Sequence, residues 1–192
     1  SRPLAVAGGH GAGRFALFGG PHVFESGSLG LLVCGDNTRF LHNVLDYGRI
    51  ELQARSYELR RTCLQDVVRE AVGVFEPLLK SQGFRLSLAL PERAVELNID
   101  ADAITEAVIN LVDNAVKYSA DRKVVDIGLV ERENEVEIRV RDEGIGIPEA
   151  DRARIFEKFY RAADAGRMSP KGAGLGLKIV RHIMRAHGGE IA

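Results

Sequence analysis

Hydrophobic positions recur with the period of an α-helix in several separate stretches of this chain. The pattern predicts helices over residues 37–51, 63–80, 101–119, 149–158 and about 174–186. Gly83 follows the second stretch, as expected at the C-terminus of a helix, and Asp100 or Asp102 can cap the third.

Other stretches alternate between apolar and polar residues, which is typical of strands with one buried face. This alternation predicts strands over residues 85–90, 94–100, 123–130 and 135–141. Residues 132–134 separate the last two strands and suit a tight hairpin turn. Because helices and paired strands alternate along the chain, we predict an α+β fold, a two-layer α/β sandwich with a helical segment at its N-terminus.

The first 36 residues differ in composition from the rest of the chain. They contain nine glycines and four charged residues, whereas the other 156 residues contain 49 charges. They follow neither the helical nor the strand period, and glycine pairs at 8–9 and 19–20 disfavour regular structure. We therefore interpret residues 1–36 as an irregular glycine-rich segment. A disordered arm and a sequence foreign to the following domain are the two alternatives.

The overall composition is that of a globular domain, with 45% hydrophobic residues, 28% charged residues and a net charge of −1. A near-neutral chain has no global electrostatic field to attract nucleic acid or an anionic membrane, so we expect neither as a partner. A local basic patch that binds one of them is the alternative. No run of 18 apolar residues indicates a membrane span. Cys34 and Cys63 are too few for a disulfide framework, which favours a reducing compartment.

A pair of asparagines forms the first candidate site. On the helix predicted over 101–119, Glu106, Asn110, Asn114 and Lys117 form a polar stripe. Asparagine is a mediocre helix former, so two of them one turn apart are poor choices for solubility alone. Their amide oxygens could share an Mg²⁺ ion, and Lys117 could reach a phosphate oxygen. A solvated helix face is the alternative interpretation.

The second candidate is DEGIGIP (142–148), directly after the strand predicted over 135–141. Gly144 and Gly146 would let the chain turn sharply and approach a ligand closely. A carboxylate at the end of the strand, Asp142, could accept a hydrogen bond from an exocyclic amine. An ordinary Asp-Gly turn is the alternative.

The third candidate is RIFEKFYR (154–161). Phe156 and Phe159 lie three residues apart, so we expect them to share a helix face and to pack in the core. Lys158 and Arg161 would then face either a phosphate group or solvent.

The fourth candidate is GAGLGLKIV (172–180), in which Gly172, Gly174 and Gly176 open an apolar helix. The N-terminus of such a helix attracts anions, because its first N–H groups lack acceptors and its dipole is positive there. The spacing fits neither a dinucleotide-binding fingerprint nor a P-loop. A flexible hinge is the alternative, and the small and polar residues 162–171 suit a mobile lid.

Together and in this order, the four segments resemble the N, G1, F and G2 boxes of sensor histidine kinases. The resemblance covers about residues 60–192. It implies the catalytic ATP-binding domain of a superfamily that includes gyrase, chaperone and mismatch-repair ATPases, with a mixed, mostly antiparallel sheet packed on three helices. Residues 37–57 resemble the end of the second dimerisation helix. We therefore expect an irregular segment (1–36), a remnant of the dimerisation helix (37–58), and a catalytic domain without its last strands (59–192).

The resemblance also implies roles for individual residues. Asn114 is expected to bind Mg²⁺ with support from Asn110, and Lys117 to contact phosphate. Asp142 is expected to accept a hydrogen bond from the adenine amino group, with Tyr118 beside the adenine. The other expected nucleotide contacts are Gly144, Gly146, Ile147, Lys158, Arg161, Gly172, Gly174, Leu175 and Gly176.

The residue four positions before Asn114 separates two enzyme classes. ATP-hydrolysing members of the superfamily have a glutamate there, which orients water as a base, whereas this chain has Asn110. Because asparagine cannot act as a general base, we expect a phosphotransferase that transfers the γ-phosphoryl group of ATP to a histidine. A hydrolytic ATPase and a non-catalytic nucleotide-binding module are the alternatives.

None of the five histidines lies in the sequence context of a phosphoacceptor; these are His10, His22, His42, His182 and His187. We therefore expect an incomplete kinase, whose acceptor histidine lies on a dimerisation domain that is not intact here. The resemblance implies a response regulator as the next partner. It also implies a homodimeric parent protein and a cytoplasmic location, with the parent either soluble or anchored in the inner membrane.

Overall fold

The computed structural model describes residues 15–16, 36–52, 54–119, 121–132, 135–162 and 173–192. Its α-helices are α1 (Asp36–Glu51), α2 (Leu64–Gly73), α3 (Glu76–Ser81), α4 (Ala101–Tyr118) and α5 (Gly176–Ala186). Its strands are β1 (Phe15–Ala16), β2 (Arg60–Cys63), β3 (Arg85–Ala89), β4 (Glu96–Ile99), β5 (Val124–Glu131) and β6 (Val136–Asp142). Two 3₁₀ turns lie at Glu149–Asp151 and Arg154–Phe156.

The strands form two sheets. In the larger sheet, β5 pairs antiparallel with β6 and parallel with β3, while β1 lies parallel to the other edge of β6. In the smaller sheet, β2 pairs antiparallel with β4. Since helices pack on a mixed sheet, the predicted α+β class is confirmed. The hairpin turn predicted at 132–134 lies largely outside the described residues.

The core lies between the helices and one face of the larger sheet. Helix α4 is central, because it contacts α2, α5, β5 and β6. Its apolar stripe, at helical spacing, is fully buried: Ile104, Val108, Leu111 and Ala115. Strand β5 presents Val125, Ile127 and Leu129 to the same core, in the alternation that the sequence predicted.

The single helix predicted over 63–80 is wrong, because this stretch contains two helices. The chain breaks between them at residues 74–75, and Pro77 lies in the first turn of α3. Proline is tolerated in a first turn, where its missing N–H would have no acceptor, but it disrupts a continuous helix. The apolar period continues through the break because both helices bury residues on the same side, such as Val72 and Leu79.

The ends of the helices follow the predicted capping pattern. Asp100 caps α4, since its Oδ1 accepts a hydrogen bond from the Ala103 N–H at 3.0 Å. After α3, Gly83 has a φ of +74°, and the Phe84 N–H donates to the Leu79 carbonyl at 2.8 Å. This is the left-handed helix end that favours glycine. In the described residues, none of the helices is both long and apolar enough to cross a bilayer.

His187 joins the end of α5 to the start of α4. Its Nδ1 lies 2.7 Å from the Ile183 carbonyl, and its Nε2 accepts a hydrogen bond from the Asp100 N–H at 3.0 Å. One nitrogen must donate and the other accept, so the ring is neutral in this arrangement. Burial lowers the pKa of His187, with Arg55 acting in the same direction, while the Ile183 carbonyl and Asp100 oppose the shift.

We predict that the stability of the fold decreases as the pH falls below about 6.5, where an unfolded histidine binds a proton. The folded protein binds that proton only at lower pH, because protonated Nε2 would oppose the Asp100 N–H. The measurement is the free energy of unfolding in urea at about pH 8 and about pH 5.5. In the variant His187→Gln the decrease should be smaller, and an equal decrease in both proteins would contradict the prediction.

Candidate functional site

The carboxamide of Asn110 lies against the start of α5. Asn110 is 3% exposed, and a Cβ atom placed on Gly176 would lie 3.0 Å from its Oδ1. Among the described residues, this oxygen is buried without a hydrogen-bond partner. Glycine at the first position of α5 therefore lets the helix begin directly beside an asparagine oxygen of α4.

An unsatisfied buried oxygen at this place indicates a ligand site. Burying a polar atom without a partner is costly, and the first N–H groups of a helix also lack acceptors within it. An anion at the helix terminus with a cation at the carboxamide oxygen would satisfy both. The described residues contain no group of three or more His, Cys, Asp or Glu side chains that could hold a metal ion alone. The site thus fits a hard cation such as Mg²⁺ that shares its oxygen ligands with a bound phosphate.

The next turn of α4 contains the other polar candidates. Asn114 is half-buried. The Lys117 ammonium lies 2.8 Å from Oδ2 of Asp113, a carboxylate that is almost fully buried. Asp113 is not among the residues predicted from the sequence, although its spacing of four residues from Lys117 is typical of an ion pair on a helix. Lys117 is thus held beside the site by a buried counter-ion.

The DEGIGIP loop is fixed on the C-terminus of α4. The Ile145 N–H donates to the Tyr118 carbonyl at 3.1 Å, and a Cβ atom on Gly144 would lie only 2.1 Å from that same oxygen. Asp142 Oδ1 accepts a hydrogen bond from the Gly144 N–H at 2.8 Å. Burial raises the pKa of Asp142, and the backbone N–H donors partly offset the shift. The loop therefore holds a half-buried carboxyl group next to the end of α4.

Arg161 lies beside Tyr118 at the same end of α4. Burial raises the pKa of Tyr118, and the hydrogen-bonded guanidinium of Arg161 acts in the opposite direction. Sequence spacing had suggested only that Arg161 faces phosphate or solvent. The structure brings Arg161 to a tyrosine that the resemblance associates with the nucleotide base.

The predicted helix over 149–158 is wrong, and so is the expectation that both phenylalanines pack in the core. The segment forms two short 3₁₀ turns, with Phe156 half-buried and Phe159 63% exposed at a φ of +62°. The reason is tertiary: the Phe159 N–H donates to the Gly174 carbonyl at 3.1 Å. A Cβ atom on Gly174 would lie 2.8 Å from the Tyr160 carbonyl. The segment thus leaves the helical conformation to support the start of α5.

The remaining candidates divide by exposure. Leu175 is buried at the N-terminus of α5, whereas Ile147 and Lys158 are exposed. Gly146 has a φ of +69° and open space around it. Gly172 lies outside the described residues. The structure therefore brings together Asn110 with Gly176, and Tyr118 with Gly144, Asp142 and Arg161.

Comparison with known proteins identifies relatives of this chain. Residues 99–192 match the family described as histidine kinase-, DNA gyrase B-, and HSP90-like ATPase. The chain is 34% identical over 157 residues to the sensor histidine kinase WalK of Bacillus subtilis, a match that covers 80% of this chain and 25% of that protein. It is 34% identical over 174 residues to the sensor protein KdpD of Escherichia coli, covering 90% of this chain and 19% of that protein.

Solved structures give the same result for the fold. The full-length histidine kinase ShkA, in a complex with AMPPNP, matches with a TM-score of 0.63 and 25% identity, over 79% of this chain and 31% of that chain. The present chain spans about a quarter or less of the length of the two curated relatives described above.

We predict that Gly144→Ala destabilises the fold by about 1–3 kcal/mol, because its methyl group would overlap the Tyr118 carbonyl and displace the loop. The matched control is Gly73→Ala, since a Cβ atom at this helical glycine meets nothing within 4 Å. The control should be neutral or slightly stabilising. Urea unfolding followed by circular dichroism measures both, and equal stabilities of the two variants would contradict the predicted overlap.

Proposed function

Because this chain belongs to the histidine kinase-, DNA gyrase B- and HSP90-like ATPase family and its relatives are sensor histidine kinases, we propose that it binds Mg-ATP and acts in histidine phosphorylation. The observation that most supports this is the buried oxygen of Asn110 beside the N-terminus of α5, which has no partner in the part of the chain that the structure describes. In this proposal, the bond between the γ-phosphorus and the β-phosphate oxygen breaks, and a bond to a histidine nitrogen forms. ADP is the leaving group.

The phosphates are bound at the start of α5. The first N–H groups of α5 and the positive end of its dipole attract the triphosphate. Gly174 and Gly176 have no side chains that would occupy the space of the triphosphate. Asn114 and Asn110 supply oxygen ligands to Mg²⁺, as the resemblance implies. When bound, Mg²⁺ neutralises phosphate charge. Lys117, now paired with Asp113, contributes a further positive charge near the phosphates.

The adenine is bound at the C-terminus of α4, next to Tyr118. Asp142 accepts a hydrogen bond from the adenine amino group, and Gly144 shapes the loop around it. Tyr118 lies beside the adenine, with Arg161 supporting it. The AMPPNP complex of the structurally similar ShkA supports a nucleotide as the ligand of this fold.

Transfer to histidine is favoured over transfer to water. Asn110 replaces the glutamate that would act as a base, and the only acid on the preceding turn, Glu106, is paired with Arg55. A phosphotransferase needs positioning and charge neutralisation rather than an activated water. We therefore propose a kinase activity.

The proposal includes a division of the chain and a set of partners. Residues 37–58 are the remnant of a dimerisation helix and residues 59–192 the catalytic domain. The acceptor histidine lies on the dimerisation domain of a homodimeric parent, which then phosphorylates a response regulator. Since ATP is a cytoplasmic nucleotide, the proposal places the domain in the cytoplasm.

We predict that Asn114→Ala abolishes the Mg²⁺-dependent part of ATP binding while the fold stays intact, because the variant lacks a metal ligand. Titration of a fluorescent ATP analogue with and without Mg²⁺ measures the effect. The matched control is Asn98→Ala, since Asn98 is an exposed asparagine on β4, away from the site. Equal Mg²⁺ dependence in the native protein and Asn114→Ala would refute this assignment.

The second measurement separates the enzyme classes. The protein is mixed with labelled ATP and a separately made dimerisation domain of the same parent. Labelling of that domain on histidine supports the kinase proposal. Steady phosphate release without an acceptor would instead favour a hydrolytic ATPase.

A further inference from the structure

A buried ion pair connects the segment after α1 to the helix that bears the asparagines. The Arg55 guanidinium contacts both carboxylate oxygens of Glu106, with Nη2 paired to Oε2 and Nη1 3.4 Å from Oε1. The two side chains are only 15% and 11% exposed. Glu106 lies on α4, one turn before Asn110. The segment is thus attached to α4 one turn from Asn110, whose Oδ1 has no hydrogen-bond partner among the described residues.

The same segment also contacts α5 and the residue that ends it. The Arg55 guanidinium lies 5.3 Å from the ring centre of Tyr57. The Tyr57 ring in turn lies 6.0 Å from the ring of His182 and 5.4 Å from that of His187. Since His187 is hydrogen-bonded to the start of α4, residues 55–57 contact both helices that meet at Asn110 and Gly176.

A buried ion pair is a weak source of stability but a strong constraint on geometry. Its desolvation cancels much of the charge attraction, and removal of one partner leaves an uncompensated buried charge. A guanidinium that contacts both oxygens of a carboxylate also fixes their relative orientation, which an ammonium does not. The pair therefore constrains where α4 lies relative to the chain that leaves α1.

We propose that Arg55 is a positioning residue for nucleotide binding, which acts through Glu106 to hold Asn110 at the start of α5. The inference rests on the proposed function. It makes the segment after α1 a determinant of Mg-ATP affinity, although Arg55 is not expected to touch the nucleotide. By linkage, bound nucleotide must strengthen the Arg55–Glu106 contact to the same extent.

The test measures the affinity of the 192-residue chain for a fluorescent ATP analogue with Mg²⁺. Arg55→Met should weaken binding about tenfold, within the usual range of coupling between sites. Arg55→Lys keeps the charge but lacks the planar guanidinium that contacts both oxygens of Glu106. This variant should have a native circular dichroism spectrum and an intermediate affinity for the nucleotide. The matched control Arg61→Met should bind normally, because the Arg61–Glu96 pair is 78% and 43% exposed.

A double variant separates positioning from stability. Arg55→Met with Glu106→Gln leaves no uncompensated charge, so its free energy of unfolding should recover relative to Arg55→Met. If Arg55 acts by positioning Asn110, the nucleotide affinity of the double variant should stay low. Recovery of the affinity together with the stability, or native affinity in Arg55→Met, would overturn the inference.

Hydrogen exchange provides the reciprocal measurement. Nucleotide should slow amide exchange in residues 54–57 of the native chain, and unchanged exchange there would overturn the inference. If the native chain binds no nucleotide, the proposed function and the inference fail together. If the native chain binds nucleotide and the variant Arg55→Met binds it with the same affinity, only the inference fails.

Discussion

The packing of α4 against α5 at Asn110 and Gly176 is the contact on which the candidate site depends. It leaves a buried oxygen without a partner among the described residues, next to a helix end whose first N–H groups have no acceptor within the helix. Interiors rarely tolerate such an arrangement unless water, an ion or another ligand completes it. The stability of the helix pair and the chemistry proposed for it therefore depend on the same few atoms.

Close backbone contacts help to hold the loops that surround the site. Gly144 packs on the last carbonyl of α4, and Gly174 packs on the backbone of residues 159–160. A side chain at either glycine would separate the loop from its support. The nearby polar side chains, such as Asp142 and Arg161, are therefore presented from fixed backbone positions, which suits a site that must bind a polar ligand in one orientation.

The chain before β2, which includes α1, also contacts the helices of the candidate site. Helix α1 contacts α5: Lys178 lies 3.7 Å from Glu51 and 5.3 Å from the ring centre of Tyr47. The Tyr47 ring also meets the exposed Phe159 ring edge-on, at 6.2 Å. Together with Arg55, these contacts connect the N-terminal helix to both elements of the candidate site. A change in the position of α1 would thus alter its contacts with α5 and the contact of Arg55 with α4.

The sequence by itself determined the features that have a local physical cause. The period of α4, the alternation of β5, the cap at Asp100 and the glycine after α3 follow from spacing and backbone preference within a few residues. The two asparagines also stood out, because their helix propensity is poor. Only the tertiary structure decided the exposure of Phe159 and the pairing of Arg55 with Glu106. Each of these depends on contacts with distant residues or on burial in the assembled core, and periodicity contains no information about such contacts.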